Sequence, residues 1–210
     1  MVWSCLVSIL PGMAQTEKLT DYVNPFVGTD GYPGAQIPFG GIQISPDTDS
    51  RFYDAASGYK YNHLTLMGFS LTHLSGTGIP DLGDFLFIPG TGEMKLEPGT
   101  HEDPDQGYRS RYSHDKEWAS PNYYAVELAD YGVKAEMTSG VRSGMFRFTY
   151  PESDNAFIMI DMNHTLWQSC EWSNLRMIND STITGYKLVK GWGPERHVYF
   201  TASFSKKLTG

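Results

Sequence analysis

An all-β sandwich is the fold this sequence predicts, and three observations predict it. Apolar and polar residues alternate over much of the second half, the period of a strand with one wet face. Two short runs, 84–88 and 156–160, are apolar on both faces, as suits strands held between layers. Helical periodicity over a long window is hard to find. The best candidate, Leu64 to Leu71, is interrupted by Gly68 and β-branched neighbours. No internal repeat or linker is visible, so residues 20–210 read as one domain, with long loops first and tight hairpins later.

Taken in chain order, the first segment is a short apolar run, Val2 to Leu10, followed by Pro11-Gly12-Met13-Ala14. Gly12 and Ala14 supply the small residues of a signal-peptidase site, so residues 1–14 read as the remnant of an export signal. That places the chain in the periplasm or outside the cell, although a basic start is missing. An apolar N-terminal strand is the alternative. The run falls short of the about 20 residues that a membrane span needs.

Asn24 to Ala35 is a loop rich in glycine and proline, which pins the backbone and lets a ligand approach it. Its N–H groups are suited to sugar hydroxyls, although plain turn chemistry is the commoner cause of such a composition. It is no phosphate loop, because the Lys-Ser/Thr ending and the following helix are absent. Further on, Tyr53 adjoins Asp54, the pairing a sugar site uses: a ring for the C–H face and a carboxylate for vicinal hydroxyls. Tyr59 and Tyr61, two apart, read as one strand face packed on the core.

Thr72 to Asp84 gathers His73, a hydroxyl pair, Asp81 and Asp84 around a Ser-Gly-Thr-Gly turn. The spacing fits neither zinc nor an EF-hand, and no nucleophile elbow is present, so no metal ligand is assigned. A buried His73 bonded to a nearby aspartate is the commoner reading of such a histidine.

Alternation then takes over. Tyr124, Val126 and Leu128 lead to a turn at Asp130-Tyr131-Gly132, then Val133, Ala135 and Met137 lead to a turn at Ser139-Gly140. Phe146, Phe148 and Tyr150 continue the scheme, and Val198, Phe200, Ala202 and Phe204 repeat it near the end. Trp167, Trp172 and Trp192 read as core filling rather than as a sugar platform, because aromatics dominate β cores.

With 210 residues, 14% aromatics and 40% hydrophobics, the chain is long and apolar enough for a real core. A net charge of -8 leaves no basic stripe for phosphates, which argues against nucleic acid and suits neutral ligands. Cys5 lies in the export segment, so Cys170 has no internal disulfide partner and reads as a small buried hydrophobe.

Several segments together resemble a known family. They are Val23-Asn24-Pro25-Phe26-Val27-Gly28-Thr29, Pro33-Gly34-Ala35, Pro38-Phe39-Gly40, Gln43 to Thr48, Ser57 to Tyr61, and Gly68 to Gly78. Ser113-His114-Asp115-Lys116-Glu117 and Pro121-Asn122-Tyr123-Tyr124 extend the match. The chain resembles the N-terminal domain of glycoside hydrolase family 92, the exo-acting α-mannosidases.

That resemblance implies a β-supersandwich similar to galactose mutarotase, joined to a C-terminal (α/α)6 barrel. It implies calcium-dependent, inverting hydrolysis of α-mannosides of N-glycans or mannans, by two carboxyl groups about 6.5–9.5 Å apart. In the family both carboxyl groups, and most groups organising calcium, belong to the barrel. No catalytic residue is therefore expected in this chain, and no activity from it by itself. The family's N-terminal share is the glycine-rich loop and a nearby aromatic, which map onto Gly28 to Gly31 and Tyr53. The candidate sugar-binding set is then Gly28, Asp30, Gly31, Tyr32, Tyr53, Asp54 and His73.

Two departures bear on that set: the stretch between the glycines and Pro33 is short, and Tyr53 stands where the family commonly has tryptophan. Family domains also continue past the strand at Val198 to Phe204, so the resemblance implies a C-terminal truncation with an unpaired edge. The alternative is an independent carbohydrate-binding or interaction module. An enzyme using His73, Asp81 or Asp84 as acid and base is the weakest reading, since no second wall of a cleft is evident.

Overall fold

The computed structural model describes residues 17–27, 31–51, 55–74 and 79–209. Fourteen strands are defined among them, and every pairing is antiparallel. The first five are β1 (Ala35–Gln36), β2 (Gln43–Asp47), β3 (Thr65–Leu66), β4 (Gly68–Ser70) and β5 (Leu86–Thr91). Next come β6 (Ser110–Arg111), β7 (Glu117–Ser120), β8 (Tyr123–Leu128), β9 (Val133–Ser139) and β10 (Gly144–Thr149). The last are β11 (Ala156–Asp161), β12 (Ser169–Asn179), β13 (Thr182–Lys190) and β14 (Arg196–Ser203). They form a five-stranded sheet in the order β1-β2-β4-β5-β11, a four-stranded sheet β10-β9-β8-β7, a three-stranded sheet β12-β13-β14, and the short pair β3-β6.

The all-β prediction holds, and the register shows why. Pairing of β8 with β9 sets Tyr124 opposite Met137, Val126 opposite Ala135 and Leu128 opposite Val133. All six are buried, so period-two alternation places them on one face. That face meets Ala35, Ile44 and Phe69 of the five-stranded sheet, with Tyr59 and Leu66 between. Phe146 and Phe148 of β10 close over Phe69 at ring distances of 6.5 and 6.3 Å. Each such buried side chain contributes about 1.5–3 kcal/mol.

The segment Leu64 to Leu71 is strand, not helix. A Cβ on Gly68 would lie 2.8 Å from both Ile88 Cγ1 and Phe87 O, so glycine is what lets β4 approach β5. Of the two doubly apolar runs, the first is central: β5 pairs with β4 and β11 and is buried. The second corrects the expectation. β11 ends its sheet, and its residues are half-exposed or exposed. An apolar composition on both faces does not by itself supply a second layer.

The two tyrosines expected to share a face part company. Tyr59 is sealed, its hydroxyl donating to Glu117 Oε2 at 3.2 Å, and Glu117 Oε1 accepts from Tyr124 at 2.5 Å. Tyr61 lies in a turn, 42% exposed, stacked on His114 at 3.9 Å. The chain leaves the core between them. No helix among the described residues is long and apolar enough to cross a membrane.

Candidate functional site

His73, from the Thr72–Asp84 segment singled out in the sequence, meets one buried carboxylate. Asp47 ends β2 with no exposed surface. His73 Nε2 lies 2.7 Å from Asp47 Oδ1, and His164 Nε2 lies 2.7 Å from Asp47 Oδ2. His73 Nδ1 is 2.7 Å from Gln43 O, and its Nε2 is also 3.1 Å from Ser70 Oγ. Burial pushes the Asp47 carboxyl up, but the two imidazoles outweigh it and hold it well below the usual carboxylate range. Gly58, at φ +84°, passes so close that a Cβ there would stand 2.0 Å from Asp47 Oδ1.

A second buried group continues the first. Lys187, fully buried on β13, lies 3.1 Å from Asp84 Oδ1 and donates to His164 O at 2.5 Å. Arg196 Nη1 donates to Asp84 Oδ2 at 2.5 Å, and Thr72 Oγ1 donates to the same oxygen at 2.7 Å. Burial pushes Asp84 up, yet Lys187 and Arg196 hold it below its ordinary value; burial draws Lys187 down despite Asp84. Arg196, Asp84, Lys187, His164, Asp47 and His73 thus form one polar chain. It staples β13 and β14 to β2 and to the loops flanking β4 and β5.

Above this chain an open cavity of about 420 Å³ is bounded by Ser50 and Arg51 on one side and by Asp161, Asn163, Trp167 and Gln168 on the other. Trp167 N–H donates to Ser50 O at 2.9 Å, which ties the two walls together. Asp161 Oδ1 accepts from the Asn163 and His164 N–H groups at 2.8 and 3.1 Å. Asp49 Oδ1 does the same for Ser50 and Arg51 at 2.7 and 3.0 Å.

Gly28, Asp30, Tyr53 and Asp54 lie outside the described residues. Gly31 is half-exposed with open space where a Cβ would be, and Tyr32 is half-buried, its hydroxyl donating to Gln36 Oε1 at 2.6 Å. The Tyr32 ring sits 5.1 Å from that of His73. The His73 side chain is sealed from solvent, so it braces the loops and presents no atom to a ligand. It is the aspartate-bonded histidine read from the sequence, with Asp47 as its partner.

Asp81 accepts from the Leu82 and Trp192 N–H groups at 2.6 and 3.2 Å. With Asp84 spent on two cations, neither carboxylate faces a cleft as an acid or base. The tryptophan expectation is corrected outright: Trp167, Trp172 and Trp192 are 56%, 54% and 71% exposed. Aromatic composition says nothing about which strand face has a cover. Cys170 is half-buried rather than buried.

His164, Lys187 and Arg196 were missed in the sequence reading. Lys187 carried a usable signal, because it shares the inward phase of β13 with Ile183, Gly185 and Val189. A charge at such a position implies a buried partner.

Among the described residues, no group of three or more His, Cys, Asp or Glu is placed to hold a metal ion. These residues do not fit calcium.

Comparison with known proteins follows from this geometry. The family model described as "Glycosyl hydrolase family 92 N-terminal domain" matches residues 22–210. A family GH92 α-mannosidase of Bacteroides thetaiotaomicron, solved in complex with mannoimidazole, is 96% identical, with a TM-score of 0.91 over 92% of this chain and 26% of that one. A gh92 family glycosyl hydrolase is 27% identical, with a TM-score of 0.66 over 82% of this chain and 24% of its own. A family GH92 inverting mannosidase of Bacteroides thetaiotaomicron, at 24% identity and a TM-score of 0.67, covers 89% of this chain and 25% of its own and shares the fold. The chain therefore spans about a quarter of the length of these structures. No curated protein matches it.

Proposed function

The chain belongs to the glycosyl hydrolase family 92 N-terminal domain family, and from that membership we propose that it is the sugar-contacting domain of an α-mannosidase. The carrying observation is the 96% identity to a mannosidase that binds mannoimidazole. Its substrates are α-mannosides of N-glycans or mannans. Gly28, Asp30, Gly31, Tyr32, Tyr53 and Asp54 supply the contacts, and His73, sealed from solvent, packs against the Tyr32 ring at 5.1 Å.

Catalysis needs more than these residues provide. Inversion requires one carboxylic acid to protonate the leaving oxygen and one carboxylate to activate water. A general acid needs a raised pKa, whereas the surroundings of Asp47 and Asp84 lower theirs. Both carboxylates are consumed by internal partners. The acid, the base and the calcium ligands belong in this reading to the C-terminal (α/α)6 barrel that the resemblance implies. The export read from Val2 to Leu10 belongs with it too, in residues outside those described.

The test is turnover. The 210-residue chain, given α-1,2-mannobiose and calcium, is expected to release no mannose beyond a His73→Ala control. Adding the remaining three quarters of the 96% identical mannosidase as a separate polypeptide is expected to restore release above that polypeptide's own rate. Sustained release by the chain with nothing added would overturn the reading.

A further inference from the structure

We infer that His114 is a proton-dependent latch: its doubly protonated ring fastens the turn at Tyr61 to the buried Glu117 carboxylate, and loss of one proton releases that turn. Phe26, near the start of the Asn24–Ala35 loop, packs edge-on against the Tyr61 ring at 5.9 Å, so the latch also bears on how firmly that end of the loop is held. This second step rests on the function proposed above.

Both nitrogens of the His114 ring face acceptors. Nδ1 lies 2.7 Å from Glu117 Oε2, and Nε2 lies 2.8 Å from Tyr61 O. A carbonyl oxygen and an ionised carboxylate can only accept. Glu117 is the ionised partner, because it already accepts from Tyr124 at 2.5 Å and from Tyr59 at 3.2 Å. An imidazole that donates from both nitrogens holds two protons and a positive charge. Charge balance asks for the same species: Glu117 is buried, and among the described residues His114 is the only cation paired with it. Of the flanking residues, Asp115 is exposed and Lys116 pairs with Glu127 at 3.2 Å. Tyr112 meets the His114 ring edge-on at 5.6 Å. The Tyr59, Tyr112 and Tyr124 hydroxyls are all held above their ordinary values, chiefly by burial, so they stay neutral.

Losing one proton breaks one of the two bonds, since a neutral ring has a single N–H. The charge-assisted bond to Glu117 is the stronger, so the proton stays on Nδ1 and Nε2 turns a lone pair toward Tyr61 O. Stacking weakens with it. The Tyr61 ring lies on the His114 ring at 3.9 Å with the planes 3° apart, and a phenol face favours a cationic ring over a neutral one. Tyr61 is exposed, so water can replace Nε2 at the carbonyl. The closed arrangement binds the extra proton, so acid closes the latch and base opens it. The turn itself is closed by the His63 N–H on Lys60 O at 3.0 Å, which makes that amide a local reporter.

The test is NMR of the 210-residue chain from about pH 5.5 to about pH 9. The His63 ring, drawn down to about 4 chiefly by burial, is already neutral there. At the acid end two N–H protons on His114 and Overhauser contacts between the Tyr61 and His114 rings are expected. As the His114 ring titrates, those contacts should fade, and exchange protection of the His63 amide, corrected for its intrinsic rate, should drop about tenfold along the same curve. His114→Gln, which cannot carry the charge, should show no such drop. Should that variant fail to fold, the unsubstituted chain decides. Contacts and protection that stay constant while His114 titrates overturn the latch, as does a ring that never titrates in this range. The step to the loop is read by titration with methyl α-D-mannopyranoside at both ends of the range. Binding about threefold weaker at the alkaline end, and equal at both ends in His114→Gln, supports it. Equal affinity in the unsubstituted chain, with the latch seen to open, overturns that step but leaves the sugar-contacting reading standing. No binding at any pH overturns that reading and the step together, while the Tyr61 contacts still decide the latch.

Discussion

Between Glu117 and Thr149 the alternating strands close over Ile44, Tyr59 and Phe69, whereas between Ser169 and Ser203 an equally regular alternation leaves Trp172 and Tyr199 more than half exposed. Both sheets obey the same period, so the difference lies in what each buries. The β7–β10 sheet offers an apolar face to another apolar face. The β12–β14 sheet turns Lys187 and Arg196 inward onto Asp84, and leaves Trp172, Tyr186 and Tyr199 in ring contact on its outer side. One joint is made by hydrophobic burial; the other adds buried charge to the packing of Phe200 on Phe85 and Phe87, at ring distances of 4.5 and 5.9 Å. Charge joints are less forgiving, because removing one partner strands the other in a medium that cannot solvate it.

The largest expected effect breaks that charge joint. Asp84→Ala leaves Lys187 buried without its counterion, and a loss of about 3–5 kcal/mol in urea unfolding is expected. A loss near zero would mean that the three-stranded sheet is held by something other than this pair. Phe69→Ala, in the apolar joint, falls in a similar range of about 3–5 kcal/mol through the cavity it leaves. The two variants differ in a second readout. Replacing Asp84 and Lys187 together by Leu and Met should recover much of the loss, since well-packed apolar groups can substitute for a buried pair.

The hairpins of the apolar joint were legible in the sequence because each strand declares its own face: Tyr124, Val126 and Leu128 need no distant residue to reveal their phase. The polar chain was not legible. Asp47 and His164 stand 117 positions apart, and neither is unusual in its own neighbourhood. The same holds for Arg196 and Asp84, 112 positions apart. Pairing of that kind is a property of the closed fold. His73 was half legible: its burial was readable, but its partner was not. The tryptophans failed for the opposite reason. Their composition matched a core, and only the absence of a covering layer in the described structure decided against it.

A smaller effect separates the closed region from the open sheet by pH. His63 packs on His101 at 4.1 Å, with Asp49, Lys60 and Arg109 also acting on it. Burial and His101 pull its pKa from 6.5 down to about 4, against the opposing pull of Asp49. The unfolded chain therefore binds a proton first, and stability should fall as pH drops from 6.5 towards about 4. The Asp47 and Asp49 carboxylates, both held below their ordinary values, lose their stabilising partners only at lower pH, below about 4. His63→Asn should flatten the upper window and leave the lower one. If both windows survive unchanged, His63 is not the group responsible.

The smallest effect is the most informative about the open sheet. Tyr199 sits opposite Tyr186 on β14, 69% exposed, with its ring 4.7 Å from its neighbour. A face with water above it gains little from one aromatic, so Tyr199→Ser should change stability by no more than about 0.5 kcal/mol in urea unfolding. Trp172→Ser, on the neighbouring strand, should behave alike. A loss several times larger would mean that the face is covered in solution, and by a second copy of the chain if the loss grows with protein concentration. Sedimentation of the unsubstituted chain at the same concentrations then separates a self-associated sheet from one whose side chains pack more tightly among themselves. The contrast between the two joints stands only if this last substitution is nearly silent while Asp84→Ala is not.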